Sequence, residues 1–249
     1  MSAERRYGNP PIIESVCEFR LRQDVKWDPT IPGVFYGEVR DSFPIKEGKL
    51  VQDVTITQKQ EGISHQIRTT ERAWFLSDDR KTFAQLGPGV LAVNRLNPYP
   101  GWGFFKRTIE IAFGTLREIV QVGDLERIGL RYINRIEIPG QPINLQDYFG
   151  YGPYFAPSLK EKSLAGFLVF CTVPFSEGRD ACNLRLESTA LEATGSSSFA
   201  LDIDYFVNKP RAVSEQGAME WVEAAHEAVR EIFEACITDR LRDIFQEIR

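Results

Sequence analysis

Apolar and polar positions alternate from Val16 to Gln23. Cys17, Phe19 and Leu21 fall to one side and Glu18, Arg20 and Arg22 to the other, the period of a half-buried strand. Asp28-Pro29 then opens a helical spacing, Ile31, Phe35, Val39 and Phe43, that stops at Pro44; Asp28 is the expected cap. Strand patterns follow at Leu50–Gln60, His65–Leu76 and Thr82–Leu96. Turns near Glu61-Gly62 and Ser77-Asp78-Asp79 separate them, and Gly87-Pro88-Gly89 bends or splits the third. A loop from Asn97 to Gly103 leads into a helix predicted over Phe105–Val122, with the stripe Phe105, Ile109, Ala112, Leu116 and Ile119.

The same series then recurs. Arg127–Ile138 alternates, with Leu130, Tyr132, Asn134 and Ile136 opposite Arg131, Ile133, Arg135 and Glu137. A short helix is expected at Leu145–Phe149, and strands at Gly166–Phe175, Asn183–Leu191 and Phe199–Val207. Ser214 is the expected cap of a last long helix, Glu215–Glu247, whose stripe runs from Val222 through Cys236 to Ile248. Each half reads β-α-β-β-β-α, which predicts a structural duplication of residues 1–124 and 125–249 joined as one compact unit. The junction is expected in Ile138–Lys162. The class is α+β: a mostly antiparallel sheet of about eight strands with the long helices on one face. A closed or half-closed barrel is the alternative.

With 43% hydrophobic residues in 249, the chain can bury a substantial core. A net charge of -5 argues against nucleic-acid binding through a basic surface. No apolar run approaches the ~18 residues of a membrane span, and Met1–Arg6 lacks the apolar stretch of a secretory signal, so a cytoplasmic protein is expected. Cys17, Cys171, Cys182 and Cys236 form no CxxC pair and are expected as reduced, mostly buried thiols. His65 and His226 are the only histidines, and no phosphate-binding glycine loop occurs. Neither a metal, a cofactor nor a catalytic residue is assigned.

Two long motifs carry a resemblance. Asn9-Pro10-Pro11-Ile12-Ile13-Glu14-Ser15-Val16-Cys17-Glu18-Phe19-Arg20 is one, and Arg127-Ile128-Gly129-Leu130-Arg131-Tyr132-Ile133-Asn134-Arg135-Ile136-Glu137-Ile138-Pro139 is the other. Together they resemble an uncharacterised prokaryotic family of about this length, sporadically distributed among bacteria and archaea. The similarity extends over nearly the whole chain, including the region of His226, Phe233 and Ile237-Thr238. The family has no established activity to carry over. Its patchy distribution is similar to that of defence or toxin–antitoxin cargo, which implies a protein partner encoded by a neighbouring gene.

Three constellations hold candidate chemistry. On the polar phases of the strands lie Glu18, Arg20, Arg22, Arg131, Arg135, Glu137, Arg185, Glu187, Asp202 and Asp204. In a closed sheet these would line a tunnel suited to phosphates and a divalent metal; in an open one they are cross-strand ion pairs facing water. Arg131 and Arg135 are about 13 Å apart along their strand, and Asn134, pointing the other way, is read as a clamp to a helix or loop. Glu223-x-x-His226 has the spacing of di-metal helical bundles but lacks a second copy, so a hydrogen-bonded structural histidine is the plainer reading. Tyr99 and Trp102, and Tyr151 and Tyr154, lie in two Gly/Pro loops that suit partner anchors or an apolar cleft if the loops meet. The favoured function is a non-catalytic binding protein for a protein partner or small ligand, acting through Tyr99, Trp102, Tyr151 and Tyr154 or through Arg20, Arg22, Arg131 and Arg135. A triphosphate-tunnel-like phosphohydrolase or nucleotide-binding enzyme is the alternative. Homo-oligomerisation is left open.

Overall fold

The computed structural model describes residues 5–59, 62–140, 143–154, 166–189 and 196–248, with the backbone alone for 51–59 and 62–69. Met1–Glu4, the turn residue Glu61, Phe155 and the 155–162 part of the expected junction lie outside the described residues. In chain order the elements are β1 (Arg6–Tyr7), β2 (Ile12–Arg20), α1 (Ile31–Val39), β3 (Ile45–Lys59), β4 (Gly62–Leu76), β5 (Thr82–Gly87), β6 (Val90–Leu96) and α2 (Trp102–Ile119). The second series is β7 (Arg127–Pro139), β8 (Leu168–Phe175), β9 (Asp180–Ser188), β10 (Ser196–Val207), α3 (Ala218–Cys236), α4 (Asp239–Ile244) and β11 (Glu247–Ile248).

The protein is α+β. Nine strands form one sheet in the order β3-β4-β5-β6-β2-β7-β10-β9-β8, and β1 pairs with β11 in a small second sheet. Every pairing is antiparallel. The two motif strands, β2 and β7, are neighbours at the middle, with Ser15 opposite Tyr132, Cys17 opposite Leu130 and Phe19 opposite Ile128. Outward from that seam the order is β2-β6-β5-β4 on one side and β7-β10-β9-β8 on the other. Each half therefore places its strands in the same sequence order, first, fourth, third, second, with β3 as an addition beyond β4.

Apolar residues of one strand phase face the helices. Phe113 of α2 stacks on Phe19 of β2 at 4.1 Å, Phe35 of α1 packs on Phe75 of β4 at 5.2 Å, and Trp221 of α3 lies against Tyr205 of β10 at 5.8 Å. All three helices thus sit on one face. The opposite face carries the charged phase, and Phe83, Ala92 and Asn94 of β5 and β6 are buried on it. No helix among the described residues is long and apolar enough to cross a membrane.

Several expectations are corrected. The sheet is open, ending at β3 and β8, and is not a barrel. Of the two outcomes expected at Gly87-Pro88-Gly89, the strand over Thr82–Leu96 is split rather than bent, into a hairpin whose reversal Gly89 allows at φ 74°. β2 ends at Arg20, which places Arg22 in the following loop, paired with Asp24. Asp28 does not cap α1; its carboxylate accepts the Thr30 N–H at 2.7 Å and Thr30 holds the cap position. Ser214 likewise holds the turn ahead of α3, its Oγ accepting the Gly217 N–H at 3.3 Å.

The last long helix is broken at Ile237. Its apolar stripe continues, since Cys236, Leu241 and Phe245 are all buried, so periodicity gives no sign of the break. The backbone there bonds across to residues 147–150 instead. Gly150 N–H donates to Cys236 O at 2.9 Å, Thr238 N–H to Tyr148 O at 3.0 Å, and Thr238 Oγ to Asp147 O at 2.6 Å. A side chain at Gly150 would put a Cβ 2.5 Å from Ala235 O, so only glycine permits this approach.

Candidate functional site

His226, Val229, Arg230 and Phe233 recur at intervals of three, four and seven, which puts them on one face of α3. That face does not close fully onto the sheet. Beneath it lie Tyr132 and Asn134 of β7 and Ile203 of β10, and over it run Tyr7, Pro10, Pro11 and Ile12. Together they line a half-open pocket of about 100 Å³. The roof is fixed at both ends. Arg135 N–H donates to Pro11 O at 2.9 Å, and Tyr7 donates its hydroxyl to Glu234 at 2.5 Å while its ring meets Phe233 and Phe245 edge-on.

A polar chain borders the cavity. The Tyr99 and Tyr132 hydroxyls are 3.2 Å apart, and the Tyr132 hydroxyl is 3.2 Å from His226 Nδ1. The imidazole stacks on Trp102 at 4.0 Å with only 6° between the planes. Trp102 Nε1–H donates to Glu223 at 3.0 Å, and Lys106 Nζ is 2.7 Å from the same carboxylate. Burial raises the phenol pKa values of Tyr99 and Tyr132, so both hydroxyls remain protonated. Burial alone would also raise the Glu223 carboxyl, but the Lys106 ammonium and the Trp102 N–H outweigh it and hold it below its ordinary value. Asn134, 1% exposed, donates Nδ2–H to Leu201 O at 3.1 Å. It is a clamp to the neighbouring strand, where a helix or loop was expected.

The two aromatic loops are not brought together. Tyr99 and Trp102 are tied to Tyr132, Glu223 and His226, whereas Tyr151 donates its hydroxyl to Leu184 O at 3.1 Å. Their anchor points on α3, His226 and Cys236, are about 15 Å apart by the helix rise. Tyr154 is 89% exposed and Tyr99, Trp102 and Tyr151 serve the core, so the four do not form one surface.

The expected arginines are engaged by carboxylates. Arg20 bonds Glu18 at 2.7 Å, Arg22 bonds Asp24 at 2.9 Å and Arg135 meets Glu137 at 3.1 Å. Arg131 grips Asp202 through Nε at 2.7 Å and Nη2 at 2.5 Å, which raises the guanidinium pKa further. Arg127 joins Glu18 at 3.2 Å to Asp204 at 3.0 Å, and Arg185 bonds Glu187. Burial pushes the Asp204 carboxyl up against the opposing pull of Arg127 and Arg131. A phosphate on this face would have to displace bidentate carboxylate partners. Among the described residues no group of three or more His, Cys, Asp or Glu is placed to hold a metal ion. The four cysteines are unpaired; burial raises the Cys17 thiol and pushes those of Cys182 and Cys236 up to about 12.

No protein-family model matches the chain, and no curated protein aligns with it significantly. The cavity was missed in the sequence because its walls come from residues over 200 positions apart. A partial signal was present: Pro10–Ile12, Tyr132–Asn134 and His226–Phe233 all lie in the segments that carry the resemblance.

Proposed function

We propose that this protein is a non-catalytic binding protein and that the cavity under α3 receives a small apolar or ring-shaped group of its ligand. The observation that carries this reading is the convergence of three distant segments on one space. Pro10-Pro11-Ile12, Tyr132 with Asn134, and His226 to Phe233 come from distant parts of the chain and line the same space. Flat proline and aromatic walls favour a planar, apolar group, and the lining exposes no polar atom to it. Cavities of this order accept single rings in other proteins.

Benzene, phenol and indole are the probes, each titrated at millimolar concentration while the unfolding midpoint is followed. Binding of at least one should raise the midpoint, and Val229→Phe, which fills the space from α3, should abolish the rise. No shift with any of the three, or an equal shift in Val229→Phe, overturns the reading. Membership in the sporadic prokaryotic family, a cytoplasmic location and a defence or toxin–antitoxin role are part of the same proposal and rest on the sequence resemblance. Co-expression with the product of the adjoining gene tests that role: neutralisation of a toxic product supports it, and indifference counts against it.

A further inference from the structure

The second edge of the sheet differs in kind from the first. β8 pairs with β9 from Leu168 opposite Glu187 to Phe175 opposite Asp180, without any shift of register, and with no other strand among the described residues. Its eight residues include no charge, and Pro174 alone interrupts the row of backbone donors. Leu168 and Phe170 are 56% exposed and Val173 is 39% exposed. At the other edge, β3 carries Lys46, Glu47, Lys49, Asp53 and Lys59. Charges of that density are the usual guard against edge pairing.

The duplicated strand order shows what the bare edge can accept. β4 and β8 occupy the equivalent outermost places of the shared strand order in the two halves; β3 lies beyond β4, and nothing described lies beyond β8. The same twisted scaffold therefore already holds a further antiparallel strand at the equivalent position. We propose that β8 binds an extended segment of a protein partner as a tenth strand of the sheet. The segment is uncharged where it lies along β8, has apolar residues beside Leu168 and Phe170, and carries basic residues at its flanks. Main-chain hydrogen bonds would supply affinity and the alternate side chains specificity.

A second copy of the chain fits less well. Each copy brings a net charge of -5, which repels a like partner and attracts a basic one. On the open face, the row of β9 next to Phe170 holds Arg185, already neutralised by Glu187, which suits an uncharged occupant.

This inference rests on the reading of the protein as a binding protein and is independent of the cavity. The probe is a blocked, fluorescein-labelled peptide, Lys-Thr-Val-Thr-Val-Thr-Val-Thr-Lys, titrated into the full chain and followed by anisotropy, with amide exchange of β8 measured in parallel. Saturable binding, weakened at least tenfold in Phe170→Lys and in Leu168→Lys, with new protection of β8 amides, is the expected result. Both substitutions are at exposed positions and should leave the unfolding midpoint and the benzene, phenol and indole responses unchanged, so failure here is distinct from failure of the cavity. Absence of saturable binding overturns the proposal. So does full protection of the outward β8 amides in the chain alone, or a dimer in sedimentation that Phe170→Lys dissolves.

Discussion

The two halves of this molecule share a strand order and differ in how completely they are finished. In the first half, α2 covers β2 and β6 with Phe105, Ile109, Ala112, Phe113 and Leu116, each at most 1% exposed. The extra strand β3 guards its edge with charge. In the second half, α3 covers β7 and β10 with Trp221, Val222 and Ala225, but its next face, His226 to Phe233, stands over a pocket. Its edge strand is uncharged and, among the described residues, paired on one side only. The shared strand order provides the scaffold, and the proposed binding places lie where the two halves differ.

The sharpest way to break this comparison is to change volume in the two helix faces. Phe113→Ala removes a ring stacked in the middle of the packed half and should cost about 4 kcal/mol in denaturant unfolding. Ala112→Leu, one residue earlier, overpacks the same seam and should cost roughly 2 kcal/mol. Val229→Phe adds volume on α3 where space exists and should be nearly neutral. Equal losses for Ala112→Leu and Val229→Phe would show that the halves are packed alike.

A smaller effect tests the first half's turn. Arg95 is buried and bonds Asp79 at 3.0 Å, Thr82 Oγ at 2.7 Å and Pro98 O at 3.1 and 3.2 Å. Arg95→Ala should cost about 3 kcal/mol by leaving those groups unpaired. Hydrogen bonds from Ser77, the Lys81 N–H and Arg95 hold the Asp79 carboxyl down at about 2. A depressed carboxylate contributes stability that is complete above its unfolded value near 4 and is lost as the pH falls toward 2. Unfolding free energies of Asp79→Asn should therefore fall less steeply than those of the parent between pH 4 and 2, and identical slopes would remove Asp79 from the acid response.

The smallest effect sharpens the comparison at the cavity. Tyr132→Phe deletes the hydroxyl between Tyr99 and His226 and should cost on the order of 1 kcal/mol, while leaving the ring as cavity floor. If the hydroxyl orients His226, the benzene and phenol responses should both survive. A loss of several kcal/mol would mean that the polar chain holds the core together and is not a margin of the site.

The sequence by itself determined most of the elements and their faces. Alternation in Arg127–Pro139 separated Leu130, Tyr132, Asn134 and Ile136 from Arg131 and Arg135, and helical spacing located the stripes of α2 and α3. These patterns are local, because a side chain's face depends only on the period of its own strand or helix. The α+β class followed from the same information, whereas the first half has one strand more after its first helix than the β-α-β-β-β-α reading gave it. Pairing, by contrast, is a property of distant residues. Only the tertiary structure decided that β2 meets β7, that the sheet stays open, and that Arg131 is satisfied by Asp202 rather than by a ligand. It also broke the last helix at Ile237, since three hydrogen bonds to residues 147–150 outweigh a stripe that continues unbroken. The cavity belongs to this second kind of fact: it is the residual volume where Pro11, Tyr132 and His226 fail to meet. No single segment encodes a gap, because a gap is defined by what its neighbours leave unfilled.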